Sequence, residues 1–285
     1  MCDSGQQKVE EKLPEETLKR WESEQAALKL QVIENNTEEW QEDPLFCGLE
    51  RVAGVDLSFI KGDDVTACAM LVVLSYPELE VLYEDCQMVA ITAPYIAGFL
   101  AFRETPFLVE AVLRLQREKP SLVPQVIFVD GNGLLHHRGF GLACHLGVLT
   151  RLPCIGVAKN LLLVPGAPGK EEFKDQVKAM QKAGDSFSVT DTCGRVLGKA
   201  LRSCDKSTKP IFVSVGHQIS LDSALRLTQS CCRHRIPEPI RQADIRSREF
   251  LRKHFSCGEP SGDSSSQDAQ NVTEHKPKSD PQEES

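Results

Sequence analysis

Gln125-Val-Ile-Phe-Val-Asp-Gly-Asn-Gly-Leu-Leu-His-His-Arg-Gly-Phe-Gly-Leu-Ala-Cys-His-Leu-Gly147 is the stretch that decides the fold. Its opening run, Val126 to Val129, is apolar at every position. Without polar alternation, so short a run reads as a strand buried on both faces. It ends on Asp130, with Gly131 and Gly133 close behind. A carboxylate at the carboxyl end of a central strand, in a glycine-rich loop, stands where open α/β sheets hold their ligands. The glycines let the backbone approach a ligand closely. From Leu142 the pattern turns helical. Taken alone, the stretch is explained equally well as a plain strand-turn-helix in which Asp130 only starts the turn.

Upstream, Arg51 to Phe59 reads as a strand, with Val55, Leu57 and Phe59 alternating with Asp56 and Ser58. Lys61-Gly-Asp-Asp64 makes a hairpin turn. Val65 to Tyr76 reads as a second strand, and Leu79, Val81 and Tyr83 alternate with acids in a third. Asp is depleted in strands, so Asp56 is the odd residue of the first one, although an exposed polar face accounts for it. Ala93 to Glu104 is an apolar segment without a clean period and reads as a loop carrying an aromatic. Glu104-Thr-Pro106 then looks like a helix start, with Thr105 as cap and proline in the first turn. Leu108, Ala111, Val112 and Leu115 form the inward stripe of that helix. Before the strands, Pro14 to about Asn35 reads as a helix docked by Leu18, Trp21, Ala26, Leu28 and Val32.

Downstream, Leu152 to Lys159 is a further buried strand that ends on a lysine. Residues 160–195 look like an insertion with a charged helix from about Glu171 to Lys182. Val196 to Leu201 and Ile211 to Val215 are short strands, and His217 reads as a hydrogen-bonded core residue. Two helices follow. In the second, Ile240, Ala243, Asp244, Ser247 and Leu251 share a face. An inward Asp costs desolvation unless a cation or a neighbouring arginine, Arg241 or Arg248, pairs it.

The net charge of -8 argues against nucleic acid, but it is unevenly spread. Acids outnumber bases 12 to 5 in residues 1–43 and 7 to 2 in residues 257–285, while bases lead 26 to 22 between them. A mildly basic body between acidic ends permits a polyanionic partner. The eleven cysteines are scattered and contain no Cys-x-x-Cys, which excludes a disulfide framework or zinc site and suits a reducing compartment. No apolar signal region and no run of about 18 apolar residues is present, so no membrane partner is expected. Residues 1–12 read as a flexible start, 13–256 as a single domain, and 257–285 as a disordered acidic tail.

The element order, three antiparallel strands, helix, strand, helix, strand, resembles the ribonuclease H-like fold: α/β, a mixed central sheet with helices on both faces. In that fold the first and fourth strands lie side by side, making Asp56 and Asp130 neighbours. Glu104 and Asp244 would join them. Four converging acids repel and need a counter-charge. Oxygen-only ligands call for Mg²⁺ or Mn²⁺.

Six blocks resemble one family, the inosine-specific endonuclease V proteins: 52–59, 94–104, 129–133, 138–147, 155–159 and 235–244. The resemblance implies a metal-dependent endonuclease cutting the second phosphodiester bond 3′ to inosine, leaving a 5′-phosphate and a 3′-hydroxyl. It implies that Asp56 and Asp130 hold Mg²⁺, with Mn²⁺ as a substitute, and that Glu104, Lys159 and Asp244 complete the catalytic set. It also implies that Tyr95 wedges into the gap left by a displaced base, and that Leu100, Gly131, Gly133 and Gly156 line the base pocket. Many members carry proline where Ala97 and His137 stand here. Animal members act on RNA, so inosine-containing RNA is the expected partner, in cytoplasm and nucleus, with a monomeric enzyme. Deoxyinosine DNA repair, a non-catalytic inosine reader and a hydrolase of small phosphates are the competing readings. The four acids with the lysine count against the reader, and the tyrosine wedge counts against the small-phosphate hydrolase.

Overall fold

Alternation and apolar runs become eight strands: β1 Arg51–Phe59, β2 Thr66–Ser75, β3 Val81–Ala90, β4 Val126–Asp130, β5 Cys154–Ala158, β6 Ser186–Thr190, β7 Val196–Leu201 and β8 Ile211–His217. A computed structural model describes residues 15–60, 62–93, 96 and 98–255. The two chain ends expected to be loose, 1–12 and 257–285, lie outside the described residues, as does Tyr95. The strands form one sheet in the order β3-β2-β1-β4-β5-β8-β7-β6. β4 runs parallel to both β1 and β5, and the other pairings are antiparallel. The first and fourth strands are therefore neighbours, as the ribonuclease H-like resemblance implied.

The helices are α1 Glu15–Lys29, α2 Glu39–Glu42, α3 Leu100–Glu118, α4 Leu142–Thr150, α5 Lys170–Ala179, α6 Leu221–Ser230 and α7 Glu238–Phe255. Val52, Met70, Phe128 and Ile155 project from one face of the sheet onto Ala224 and Leu227 of α6 and Ile240 and Ala243 of α7. Val55, Leu71, Ile127 and Val129 project from the other onto Leu108 and Val112 of α3 and Leu146 of α4. Both faces of β4 are covered, which is why its apolar run does not alternate. Gly54 marks the tightest contact. A β-carbon there would stand 1.9 Å from the carbonyl oxygen of Pro239, so α7 begins directly on the β1 backbone. His217 is buried and its Nδ1 accepts the amide of Ile33 at 3.2 Å, the core role expected of it.

Several elements depart from expectation for identifiable reasons. α3 starts at Leu100, so Thr105 is buried inside it and Pro106 is an interior proline. The Thr-Pro pair mimics a cap, but burial of Phe99 and Ala101 and the stacking of Trp21 on Phe102 at 5.1 Å extend the helix backward. The Pro106 ring points to solvent and costs the helix one hydrogen bond. Leu79 belongs to a turn, at φ 58°, and β3 continues beyond Tyr83 to Ala90. β6 lies inside the presumed insertion, paired to β7 at the sheet edge, where alternation is weak. α2 and the buried Trp40, Phe46 and Leu49 were not anticipated. In α1, Ala26 is exposed and Gln25 takes the buried position, because its amide meets two backbone carbonyls.

The Gly54 contact leads to a stability prediction. Gly54→Ala should cost roughly 1–3 kcal/mol, the usual penalty of forcing atoms into a filled interface. Urea unfolding measures it, and a parental midpoint and slope would mean that α7 does not sit on β1.

Candidate active site

The pairing of β1 with β4 places the first two acids. Val55 pairs with Val129, so the next residue on each parallel strand, Asp56 and Asp130, stands beside the other. Asp130 pairs in turn with Val157, and Lys159 lies two residues further along, on the same side of the chain. Its Nζ donates to Asp130 Oδ2 at 2.5 Å. α7 covers this face, and its Ser247 hydroxyl donates to Asp56 Oδ2 at 2.9 Å. The Ser58 hydroxyl donates to the same oxygen at 2.7 Å. Asp244, one turn earlier on α7, is held by Arg248 at 2.7 Å, the neighbouring-turn arginine of the two considered. Glu104 arrives from α3, on the opposite face of the sheet. The site thus sits at the carboxyl edge of β1, β4 and β5, fed from both helical layers.

A cavity of about 380 Å³ opens there, lined by Asp56, Glu104, Asp130 and Lys159. Leu100, Gly131 and Leu142 are among its walls. Burial pushes Glu104 up to about 7, with the charge of Asp56 as the next cause, against the pull of Arg103. Burial also raises Asp56, opposed by the Ser58 hydroxyl and reinforced by the charges of Asp130 and Asp244. Burial works against the charge of Lys159, but its bond to Asp130 and the surrounding acids outweigh it and hold the ammonium above its ordinary range. Asp56 thus lies within reach of the charges of Asp130 and Asp244, and Glu104 within reach of those of Asp56 and Asp130, while Asp244 stands outside the cavity lining.

Among the described residues, no three His, Cys, Asp or Glu groups converge closely enough to enclose a metal ion. The donor set that is present is oxygen-only, over-charged and partly neutralised by Lys159. It fits a hard dication bound by one or two carboxylates and otherwise by water, the usual manner of Mg²⁺. Gly133 and Gly156 do not line the cavity. A β-carbon on Gly133 would lie 2.0 Å from the Val215 carbonyl, and one on Gly156 would lie 2.4 Å from the Gly133 amide. They press the loop onto β5 and β8, so their lack of side chains is needed for packing beneath the site. The two serines holding Asp56 had a usable signal: Ser58 is two residues along the same strand, and Ser247 shares the inward stripe of α7.

Known proteins share both this sheet and its sequence. Residues 27–245 match the family model described as Endonuclease V. A mouse protein named endonuclease V is 63% identical over 243 residues, covering 85% of this chain and 72% of the relative. The crystal structure of the catalytic domain of human endonuclease V superposes with a TM-score of 0.85 at 59% identity, covering 86% of this chain and 99% of that one. Endonuclease V of Ciona intestinalis, crystallised with a 24mer DNA containing an inosine followed by a ribo-adenosine, has a TM-score of 0.77 at 37% identity, covering 85% of this chain and 100% of that one. A family model spanning most of the chain, and relatives above half identity sharing its ribonuclease H-like sheet, lead to one assignment: the chain belongs to the endonuclease V family.

Proposed function

We propose that this chain is a Mg²⁺-dependent endoribonuclease that cuts inosine-containing RNA at the second phosphodiester bond 3′ to inosine, with Mn²⁺ able to replace Mg²⁺. The observation that carries the reading is the pairing of Asp56 and Asp130 at adjacent strand ends with Lys159 beside them. Two carboxylates with an ammonium form a centre that a dication would turn net positive, as an anionic phosphodiester requires. Asp56 and Asp130 would hold the cation, which when bound acts as a Lewis acid and lowers the pKa of a ligated water. Lys159 supplies positive charge toward the oxygens of the scissile phosphate. Glu104, near neutrality, is able to take up the proton that the attacking water loses. Water oxygen bonds to phosphorus, the bond to the 3′-oxygen breaks, and that oxygen leaves as a hydroxyl, so the downstream strand keeps a 5′-phosphate. Asp244 adds negative charge at the rim.

Base choice belongs to the other end of the cavity. A flipped hypoxanthine against Leu100 and Gly131 would meet close backbone, against which the 2-amino group of guanine clashes. RNA is favoured over DNA through the 2′-hydroxyl. The Ciona relative was crystallised on DNA whose inosine is followed by a ribo-adenosine, which supports a role for ribose beside the base. Deoxyinosine DNA is the second reading, supported by the same complex. The described cysteines are free, which suits the cytoplasm and nucleus we assign to it, where it would act as a monomer. Among the described residues no helix is long and apolar enough to cross a membrane.

Asp130→Asn tests the centre. The amide keeps the shape and removes the charge. Single-turnover cleavage should fall on the order of 10²–10³-fold. Binding of an inosine strand should persist in a gel shift. Cleavage at near-parental rate would reduce Asp130 to a turn residue.

Matched strands with one inosine test the sugar. The all-RNA strand should be cut faster than the all-DNA strand, and one ribose restored beside the cut bond should recover much of the gap. Equal rates on the all-RNA and all-DNA strands would leave a nuclease without RNA preference.

The raised Glu104 gives a pH signature in the metal-free protein. Its folded pKa, about 7, exceeds the unfolded value, so the proton is held more tightly by the folded state. The associated stability is complete below the unfolded pKa and disappears as pH rises through about 7. In chelator, the parental unfolding free energy should fall with pH across that window, by at most about 1.4 kcal/mol per pH unit from this one group. Glu104→Gln should flatten that slope. Identical slopes in urea titrations at pH 5, 6, 7 and 8 would place Glu104 away from the acidic centre.

A further inference from the structure

Helix α1 buries a glutamine between the two loop ends that lead into α3 and α4, whose first residues are walls of the cavity. Gln25 is 2% exposed. Its Nε2 donates to the Gly98 carbonyl at 3.0 Å and to the Phe140 carbonyl at 3.3 Å. Its Oε1 accepts from Arg138 Nε, so all the hydrogen-bonding edges of the amide face these loops. Leu100, two residues after Gly98, and Leu142, two residues after Phe140, are both cavity walls.

Neighbouring contacts tighten the same arrangement. Lys29 Nζ donates to the Arg138 carbonyl at 2.7 Å, and Glu22 pairs with the Arg138 guanidinium at 3.5 Å. That guanidinium lies over the Phe99 ring at 4.8 Å. Trp21 faces Phe99 at 6.1 Å and stacks on Phe102. Gly139 takes φ 61°, and a β-carbon there would meet Lys29 Nζ at 2.8 Å. One face of α1 thus reaches both loops at once. Trp21, Glu22 and Gln25 precede residue 27, where the family match begins, while Lys29 and the residues they grip, Gly98, Arg138 and Phe140, lie within it.

We propose that Gln25 is a positioning residue: through the Gly98 and Phe140 carbonyls it fixes the spacing of the Leu100 and Leu142 walls, and thereby the affinity and selectivity of the base site. The inference rests on the inosine-nuclease reading above. Gln25 touches none of the acids, so it acts on binding and discrimination, while the rate at saturation is left to Asp56, Asp130 and Lys159.

The test uses the full chain with single-turnover cleavage and binding on two RNA strands, one with inosine and one with guanosine at the same position. In Gln25→Leu the apparent Kd for the inosine strand should rise roughly five- to tenfold, the size of one or two buried hydrogen bonds. The preference for inosine over guanosine should shrink, and the rate at saturating enzyme should stay within about twofold of the parent. Titration of active sites removes any unfolded fraction, because that fraction lowers the amplitude and leaves Kd unchanged. Gln25→Glu keeps the Arg138 contact but turns a carboxylate toward two carbonyls, so it should show the same binding defect, and it serves where Gln25→Leu does not fold. Parental Kd and parental discrimination in the folded variants overturn the proposal, as does a fall in saturated rate with Kd unchanged. A parent that leaves the inosine strand uncut overturns the nuclease reading and this inference with it.

Discussion

Repulsion between Asp56 and Asp130 is the constraint around which the site is arranged. Parallel pairing of β1 and β4 fixes the two carboxylates as neighbours, and burial makes the charge of Asp56 costly. The surroundings answer with positive charge and with hydrogen-bond donors. Lys159 binds one Asp130 oxygen, and the Ser58 and Ser247 hydroxyls converge on one Asp56 oxygen. Each hydroxyl has a single proton, and the two also stand 2.7 Å apart, so not every one of these contacts is a hydrogen bond at the same time. Glu104, buried and facing the charge of Asp56 with only the partial relief of Arg103, is pushed up to about 7. A site with this charge imbalance is prepared for a dication.

That constraint explains which helices matter. Ser247 comes from α7, and α7 reaches β1 only because residue 54 is glycine. Glu104 comes from α3, which stands on the other face, packed through Leu108 and Val112. The acidic centre therefore depends on two independent packing interfaces meeting over one sheet edge. A small shift of either helix changes the charge balance without touching a strand. Beneath the loop, Gly133 and Gly156 do comparable work for Asp130, letting backbone lie on backbone so that the strand end is held rigidly.

The sequence made the centre legible because strands have a strict period. A lone Asp in an apolar alternation, a second at the end of an unbroken apolar run, and a lysine ending the next run are local signals, and β1 and the start of α4 were readable to the residue. The errors lie where tertiary burial outweighs local chemistry. Thr105-Pro106 has the form of a helix start, yet Phe99, Ala101 and Trp21 draw α3 a turn and a half further back. β6 is an edge strand with one fully buried residue, so its alternation was too faint to separate from a loop. Gln25 is absent from the apolar stripe read for α1, because a polar residue buried for the sake of distant carbonyls leaves no periodic trace. At Gly133 and Gly156 the sequence pattern could not show that backbone of Val215 and of the loop already fills the space a side chain would need.

On the proposed reading, chemistry and selectivity are encoded differently in this chain. The acids and lysine sit on adjacent strand ends, where sheet register alone brings them together, and register follows from short-range pattern. The walls at Leu100 and Leu142 open α3 and α4, and the segments leading into those helices are bridged by contacts between residues more than seventy positions apart, Gln25 with Gly98 and with Phe140. Phosphodiester chemistry tolerates variation in those loops, because the phosphate is common to every nucleotide. Discrimination of one base from another does not, since a single exocyclic amino group must meet backbone at van der Waals distance. Members of a family that share the strand-end acids are accordingly expected to share the reaction while differing in how strictly they choose the base and the sugar, and the segments that decide the difference are the helix and loops around the sheet.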